Sequence, residues 1–183
     1  MEFNKLKNFW IQVIALLTVL FLAMYLTFNQ TVLFPVSDNG EGQTGQVDSE
    51  VKRLEIVDTI SNPPSVKTSI NVEIADTAEK KSKGLGGRET LAQDAGMLFV
   101  FEKIDKYVFW MKGMKVPLDF IYINDDRIVD LLTDVKPPEV DTPDNKLDRY
   151  APIIAVNKVL EVNSGFVKSH GVGIGDKIVL IEN

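Results

Sequence analysis

The chain contains no cysteine. That absence excludes disulfides, thiolate metal sites, a cysteine nucleophile and lipid-modified cysteine. Histidine is nearly absent as well: His170 stands alone, too little for the multi-histidine shells that zinc favours. A Ser–His–Asp triad would have to use this residue, which lies in "KSHGVG" beside a turn, so catalysis by it is not expected. Positive charge is in deficit, with 20 Lys and Arg against 26 Asp and Glu, for a net −6. Neutralising a phosphate backbone needs clustered cations, so no nucleic-acid partner is expected. The usual glycine-rich nucleotide motifs are missing. "GVGIG" (171–175) lacks the G-x-G-x-x-G spacing and precedes a strand, and "GLGGRET" lacks the Gly-Lys-Ser/Thr ending of a phosphate loop. No G-x-S-x-G nucleophile elbow occurs. No metal or cofactor is expected from any of these patterns.

Charge of either sign is absent from Asn8 to Ser37. Within that window residues 9–28, "FWIQVIALLTVLFLAMYLTF", form a long apolar run. As a helix rising about 1.5 Å per residue, twenty residues span roughly 30 Å, the thickness of a bilayer's hydrocarbon core. Trp10 and Tyr25 lie near its two ends, where amphipathic rings prefer the headgroup region. Lys5 and Lys7 precede the run, and Asp38, Glu41, Asp48 and Glu50 follow it before the next basic residue, Lys52. This asymmetry predicts a cytoplasmic N-terminus (1–8) and an extracytoplasmic remainder. A cleaved signal peptide is the rival. Its apolar region would be only about 7–15 residues, ending at small residues such as A-x-A, whereas here "TFNQTVLFPV" follows. An uncleaved signal anchor, with the lipid bilayer as partner through residues 9–28, is the expectation.

Residues 29–66 read as a linker. "SDNGEGQTGQVDSE" (37–50) is too polar to bury surface that would offset its chain entropy. "RLEIVDTI" (53–60) alternates and is predicted as an edge strand, cut off by the prolines of "SNPPS". Residues 67–183 then predict an α+β domain: mainly antiparallel β, compact and barrel-like, with one or two short helices. "TSINVEIA" (68–75) alternates as a half-buried strand does. Asp76 with Glu79 predicts a capped helix start, running over "TAEKKSK" to Gly84. "GMLFVF" (96–101), "YVFWMK" (107–112), "LDFIYI" (118–123) and "RIVDLL" (127–132) predict further strands, the last two joined by an "NDD" hairpin turn. Residues 137–152 read as a long exposed loop. "IIAVNKVLEVN" and "GDKIVLI" predict strands on either side of a helical turn in "SGFVKSHG".

The strings "EIADTAEKKSKGLGGRETL", "GMLFVF", "FWMKGMKVPLDFIYI", "VLEVNSG" and "GVGIGD" occur in this order over roughly residues 68–181. Together they resemble the bacterial and archaeal family known as domain of unknown function 192. The resemblance implies a compact β-rich domain, often exported or membrane-tethered, without an assigned activity. Two positions depart from the family pattern. Members usually carry Met where this chain has Gly86. They commonly read Trp-Met-Lys-Asn-Thr where this chain reads Trp110-Met111-Lys112-Gly113-Met114. Losing that Asn removes a donor and an acceptor, so a ligand site relying on it would be altered here.

Two charges interrupt the apolar run "YVFWMKGMKVPLDFIYI". If 107–112 and 118–123 pair as a hairpin with Lys112 opposite Asp119, the two meet at the hairpin's end beside Trp110. One register slip would separate them onto opposite faces. A structural ion pair is the plain reading, and a polar cluster at the mouth of an apolar pocket is the functional one. Glu161 in "VLEVN" and Arg88 after "GLGG" are the further candidates. Each has a bland alternative, a solvated strand face for Glu161 and a loop clamp for Arg88. The candidate ligand-binding set is therefore Arg88, Trp110, Lys112, Asp119 and Glu161, with no catalytic residue assigned. Three functions compete: binding of a small ligand or envelope component; hydrolysis of a carbohydrate or envelope polymer, with Asp119 and Glu161 as acid and base; and a structural assembly module presenting a sheet edge.

Overall fold

The computed structural model describes residues 50–181. The expected membrane segment (9–28) and most of the linker lie outside the described residues. Among the described residues no helix is long and apolar enough to cross a membrane.

Seven strands are found in this part of the chain: β1 (Val51–Asp58), β2 (Ser65–Ala75), β3 (Ala95–Asp105), β4 (Leu118–Asn124), β5 (Arg127–Val135), β6 (Val156–Asn163) and β7 (Lys177–Ile181). Two short helices accompany them, α1 (Ala78–Lys83) and α2 (Phe166–Ser169), with a 3₁₀ turn at Asp144–Lys146. The strands close a barrel in the order β1-β2-β3-β6-β4-β5-β7. Neighbours are antiparallel except β2 and β3, which run parallel through the α1 crossover. Parallel neighbours need such a crossover because a tight turn reverses direction.

Alternation along each strand explains the closure. Leu54, Ile56, Ile70, Val72, Leu98, Ile121, Ile123, Ile128, Leu160 and Val162 form one buried cluster contributed by every strand pair around the barrel. Burying each such side chain stabilises the fold by about 1.5–3 kcal/mol. The opposite face of β3, β6, β4 and β5 is apolar too. Met97, Phe99, Phe120, Tyr122 and Val159 belong to a second cluster, outside the barrel. Strand β4 is thus covered on both sides, which is why "LDFIYI" reads as an almost unbroken apolar run.

Several expectations are corrected. Segment 53–60 supplies no edge: β1 pairs with β2 on one side and β7 on the other. Residues 107–112 are not a ladder strand. Phe109 makes an isolated bridge with Tyr150, their N–H groups donating to each other's carbonyls at 2.7 and 2.9 Å. The alternation there is genuine, but it lays Tyr107, Phe109 and Met111 onto the outer cluster as a strap. The 137–152 loop is not wholly exposed, since Leu147 is buried and Tyr150 packs on the same cluster. Helix α1 is capped by Thr77, whose Oγ1 accepts from Lys80 N, and not by Asp76. The hairpin turn holds: Asn124 pairs with Arg127, and Asp125 takes the left-handed conformation (φ 56°) that Asp tolerates.

Candidate functional site

Between the outer face of the barrel and its covering loops lies a cavity of about 180 Å³. Its floor includes Phe99 and Phe101 of β3 and Glu161 of β6; its roof comes from the α1–Gly86 turn and the strap around Phe109 and Trp110. Glu161 is placed by register. It sits opposite Met97 on one side and Phe120 on the other, so its side chain leaves the barrel on the apolar outer face. It is 5% exposed, and no hydrogen bond or ion pair reaches its carboxylate among the described residues. Burial alone pushes its pKa from an ordinary 4.5 up to about 8. Nearby Tyr122 has a buried hydroxyl with no hydrogen-bond partner. Burial, then the charges of Asp130 and Glu161, raise its pKa well above the ordinary tyrosine value.

The rim is cationic. Lys81 Nζ lies 4.7 Å from the Phe101 ring centre, and Lys83 lines the same wall. Trp110 is 39% exposed at the mouth, with Arg149 Cζ 4.1 Å and Lys112 Nζ 5.3 Å from its ring centre. Both distances are within the range in which a ring face attracts a cation. The roof is stitched together where Gly87 N donates to Gly113 O at 2.8 Å. Gly113 has φ 69°, a left-handed conformation open to glycine and tolerated by Asn. Gly86 is packed tightly, since a Cβ there would lie 3.2 Å from Lys83 O and 3.4 Å from Lys112 O.

Of the five sequence candidates, the fold brings Trp110, Lys112 and Glu161 to this one cavity. Lys112 and Asp119 do not meet. Lys112 Nζ donates to Asp144 Oδ2 across the mouth. Asp119 is fully buried and accepts from Asp134 N (2.9 Å) and Val167 N (3.0 Å). The hairpin that would have paired them does not form, because the strap crosses over the sheet instead of joining it. Arg88 is a clamp. Its Nη1 and Nη2 donate to Glu73 Oε1 and Oε2 at 2.6 and 2.8 Å, tying the loop after α1 to β2. That fork raises the Arg88 pKa above its ordinary value. Arg88→Ala should therefore lower stability by about 1 kcal/mol, and Arg88→Lys should recover only part of it, because an ammonium cannot form the fork. Urea unfolding of the three proteins measures this. Asp119 and Glu161 also fail as a catalytic pair. Asp119 stands opposite Val162, so its side chain and that of Glu161 leave opposite faces of the sheet.

Sequence reasoning missed the aromatic lining. Phe99 and Phe101 share one face of "GMLFVF", and Tyr107 and Phe109 share one face of the strap. That spacing was available, but it reads as ordinary core until two such faces are set across a gap. His170 is engaged locally, its Nδ1 3.0 Å from Phe166 O and its ring against Phe166.

The same architecture occurs in solved structures. A candidate transcription regulator from Sinorhizobium meliloti 1021 is 28% identical with a TM-score of 0.64, covering 74% of this chain and 98% of its own. A protein of unknown function from Novosphingobium aromaticivorans DSM 12444 is 22% identical with a TM-score of 0.61, covering 78% and 94%, and speaks to the fold alone. No curated protein matches the chain. The profile of the family DUF192, described as "Uncharacterized ACR", matches residues 60–180.

Proposed function

Because the chain belongs to the DUF192 family, described only as uncharacterized, its own chemistry has to supply the function, and we propose a membrane-anchored extracytoplasmic domain that binds a compact small molecule in the Glu161 cavity. One observation carries this reading: a buried carboxyl group without a partner, facing a cavity with aromatic walls. Unpaired buried acids cost stability, and a ligand able to pair with this one would recover that cost. The anchor and the topology rest on the uncharged run of residues 9–28 and the lysines before it. The hydrolase alternative needs two carboxyl groups across one cleft, and Glu161 is the one acid among the described residues lining the cavity. The assembly alternative needs a free edge, while every described strand has neighbours on both sides, β5 and β7 through a single residue pair. Nucleic-acid binding, suggested by the description of the Sinorhizobium neighbour, would need a cationic face. Here acidic residues outnumber basic ones 26 to 20, and beyond the cationic rim of the cavity Lys115, Lys136 and Lys177 are each paired with a carboxylate.

Thermal unfolding of the full chain in mild detergent across a metabolite panel tests the reading. Some compounds should raise the melting temperature, and Trp110→Ala and Lys112→Ala should diminish those shifts. Shifts unchanged in both variants would exclude this cavity. Cell fractionation tests the anchor, which fails if the intact chain is recovered in the soluble fraction.

A further inference from the structure

Resting on the ligand-binding reading, we propose that the cavity takes a small amino-acid-like zwitterion, its ammonium on the Glu161 carboxylate and its own carboxylate toward Lys81 and Lys83 at the rim. The polarity of the cavity carries the argument. At the floor, Glu161 once ionised offers acceptor oxygens that no protein group uses, and a guest that brings donors fills them. A buried carboxylate is best compensated by an opposite charge with hydrogen bonds to give. The walls suit the guest's apolar body, because Phe99, Phe101, Phe109 and Trp110 line the cavity. A divalent cation would require several oxygen ligands, and no second carboxylate lines this cavity among the described residues.

At the rim the charge has the other sign. Lys81 and Lys83 make no ion pair among the described residues, whereas Lys112 is already paired with Asp144. Cations above an unpaired acid form a dipole, and the matching guest carries both an ammonium and a carboxylate. Size sets the scale. A dry cavity of about 150 Å³ admits a benzene-sized guest. The 180 Å³ here suits a guest with a short apolar body and an ammonium and a carboxylate on one carbon. Leucine is of that size.

Calorimetric titration of the full chain in detergent with three matched guests is the test. They are leucine, 3-methylbutylamine (leucine without its carboxylate) and 4-methylpentanoate (leucine without its amine). Leucine should bind tightest and 4-methylpentanoate weakest. Glu161→Gln should weaken leucine and the amine by about a hundredfold, because a charge-assisted bond to a buried group is lost. Lys81→Ala should weaken leucine by about tenfold and leave the amine unchanged, separating rim from floor. Binding should also release a proton, read by repeating the titration in buffers of different ionisation heat. From pH 6 toward 8 leucine affinity should rise by up to about tenfold per unit, as Glu161 has less and less proton to give up. The charged and titratable groups around the cavity are Lys81 and Lys83 on α1, Tyr107 and Lys112 on the strap with Asp144 paired to Lys112, Arg149 over Trp110, and Tyr122 on β4 with Asp130 near it. Equal binding of 4-methylpentanoate and leucine, or leucine binding untouched by Glu161→Gln, overturns the assignment and leaves the cavity as a site for another class. If none of the three guests binds while other compounds still give Trp110-dependent thermal shifts, the zwitterion falls and the pocket stands. If no compound does, both fall.

Discussion

Glu161→Gln should flatten the decline of stability with pH that the wild-type protein shows between about pH 4.5 and 8. The sign follows from the proton inventory. In the unfolded chain this carboxyl ionises near its ordinary 4.5, whereas in the fold it holds its proton up to about 8. Between those values the folded state binds a proton that the unfolded state lacks, so raising the pH favours unfolding. At about 1.36 kcal/mol per pH unit, the full window is worth on the order of 4–5 kcal/mol. The other shifted groups act elsewhere. Asp58 is held below 3.8 chiefly by the Ile60 and Ser61 backbone N–H groups. Asp76, Asp126 and Asp134 are held below 3.8 by hydrogen bonds from Lys80, Lys177 and Lys136 respectively. Their contributions are present above the unfolded value and disappear as the pH falls through the lowered one. Tyr122, Tyr150 and Arg88 are raised, and so titrate above the window. Guanidinium unfolding at pH 5, 6.5 and 8 reads the effect; parallel profiles for wild type and Glu161→Gln would mean that the acid is solvated. The same substitution is expected to weaken ligand binding by about a hundredfold, so stability and function are opposed at this residue.

Asp119→Leu should cost about 3–5 kcal/mol, the largest loss expected from a single polar residue in the barrel. The leucine keeps the branching of the aspartate but is larger, so lost bonding and overpacking both contribute. Asp134 N and Val167 N would each lose their acceptor, the first at a half-buried place and the second at a buried one. The first holds Asp134, a non-glycine residue at φ 59°, and the second anchors the first turn of α2. Asp119→Asn should recover part of the loss, because one amide oxygen can accept while the NH₂ group confronts the remaining donor. Urea midpoints order the three proteins. Equal stability of wild type and Asp119→Leu would show that the two N–H groups find other partners.

The barrel was legible because its strands alternate cleanly. Ile70, Val72 and Ile74 declare one face of β2, and the Asp-rich turn after Asn124 declares a hairpin. The roles of the charges were less legible. Asp119 and Glu161 look alike in sequence, each an acid between apolar neighbours. Pairing between β4 and β6 sends Asp119 inward to two N–H donors and Glu161 outward to none. Strand periodicity distinguishes the two faces of a strand but does not say what will cover the outer one. The strap misled for the same reason: Tyr107, Phe109 and Met111 alternate whether they lie in a ladder or across one. Only the Phe109–Tyr150 bridge, made with a residue forty-one positions away, decides between them.

The carboxyl seat of the cavity stands on β6, laddered to β3 and β4 on its two flanks, whereas the canopy over it is made of loop held by a Gly87–Gly113 bond and a Lys115–Glu89 pair. Such a division of labour separates affinity from choice. The anchoring charge is immobile and would serve any guest that carries a donor. The canopy residues set length and shape, and none of residues 84–87 and 107–114 lies in a barrel strand. Redesigning the clientele of this scaffold is therefore a matter of rewriting the cavity-facing positions within 84–87 and 107–114, with the buried Leu85, Met111 and Met114 kept, over an unaltered seat.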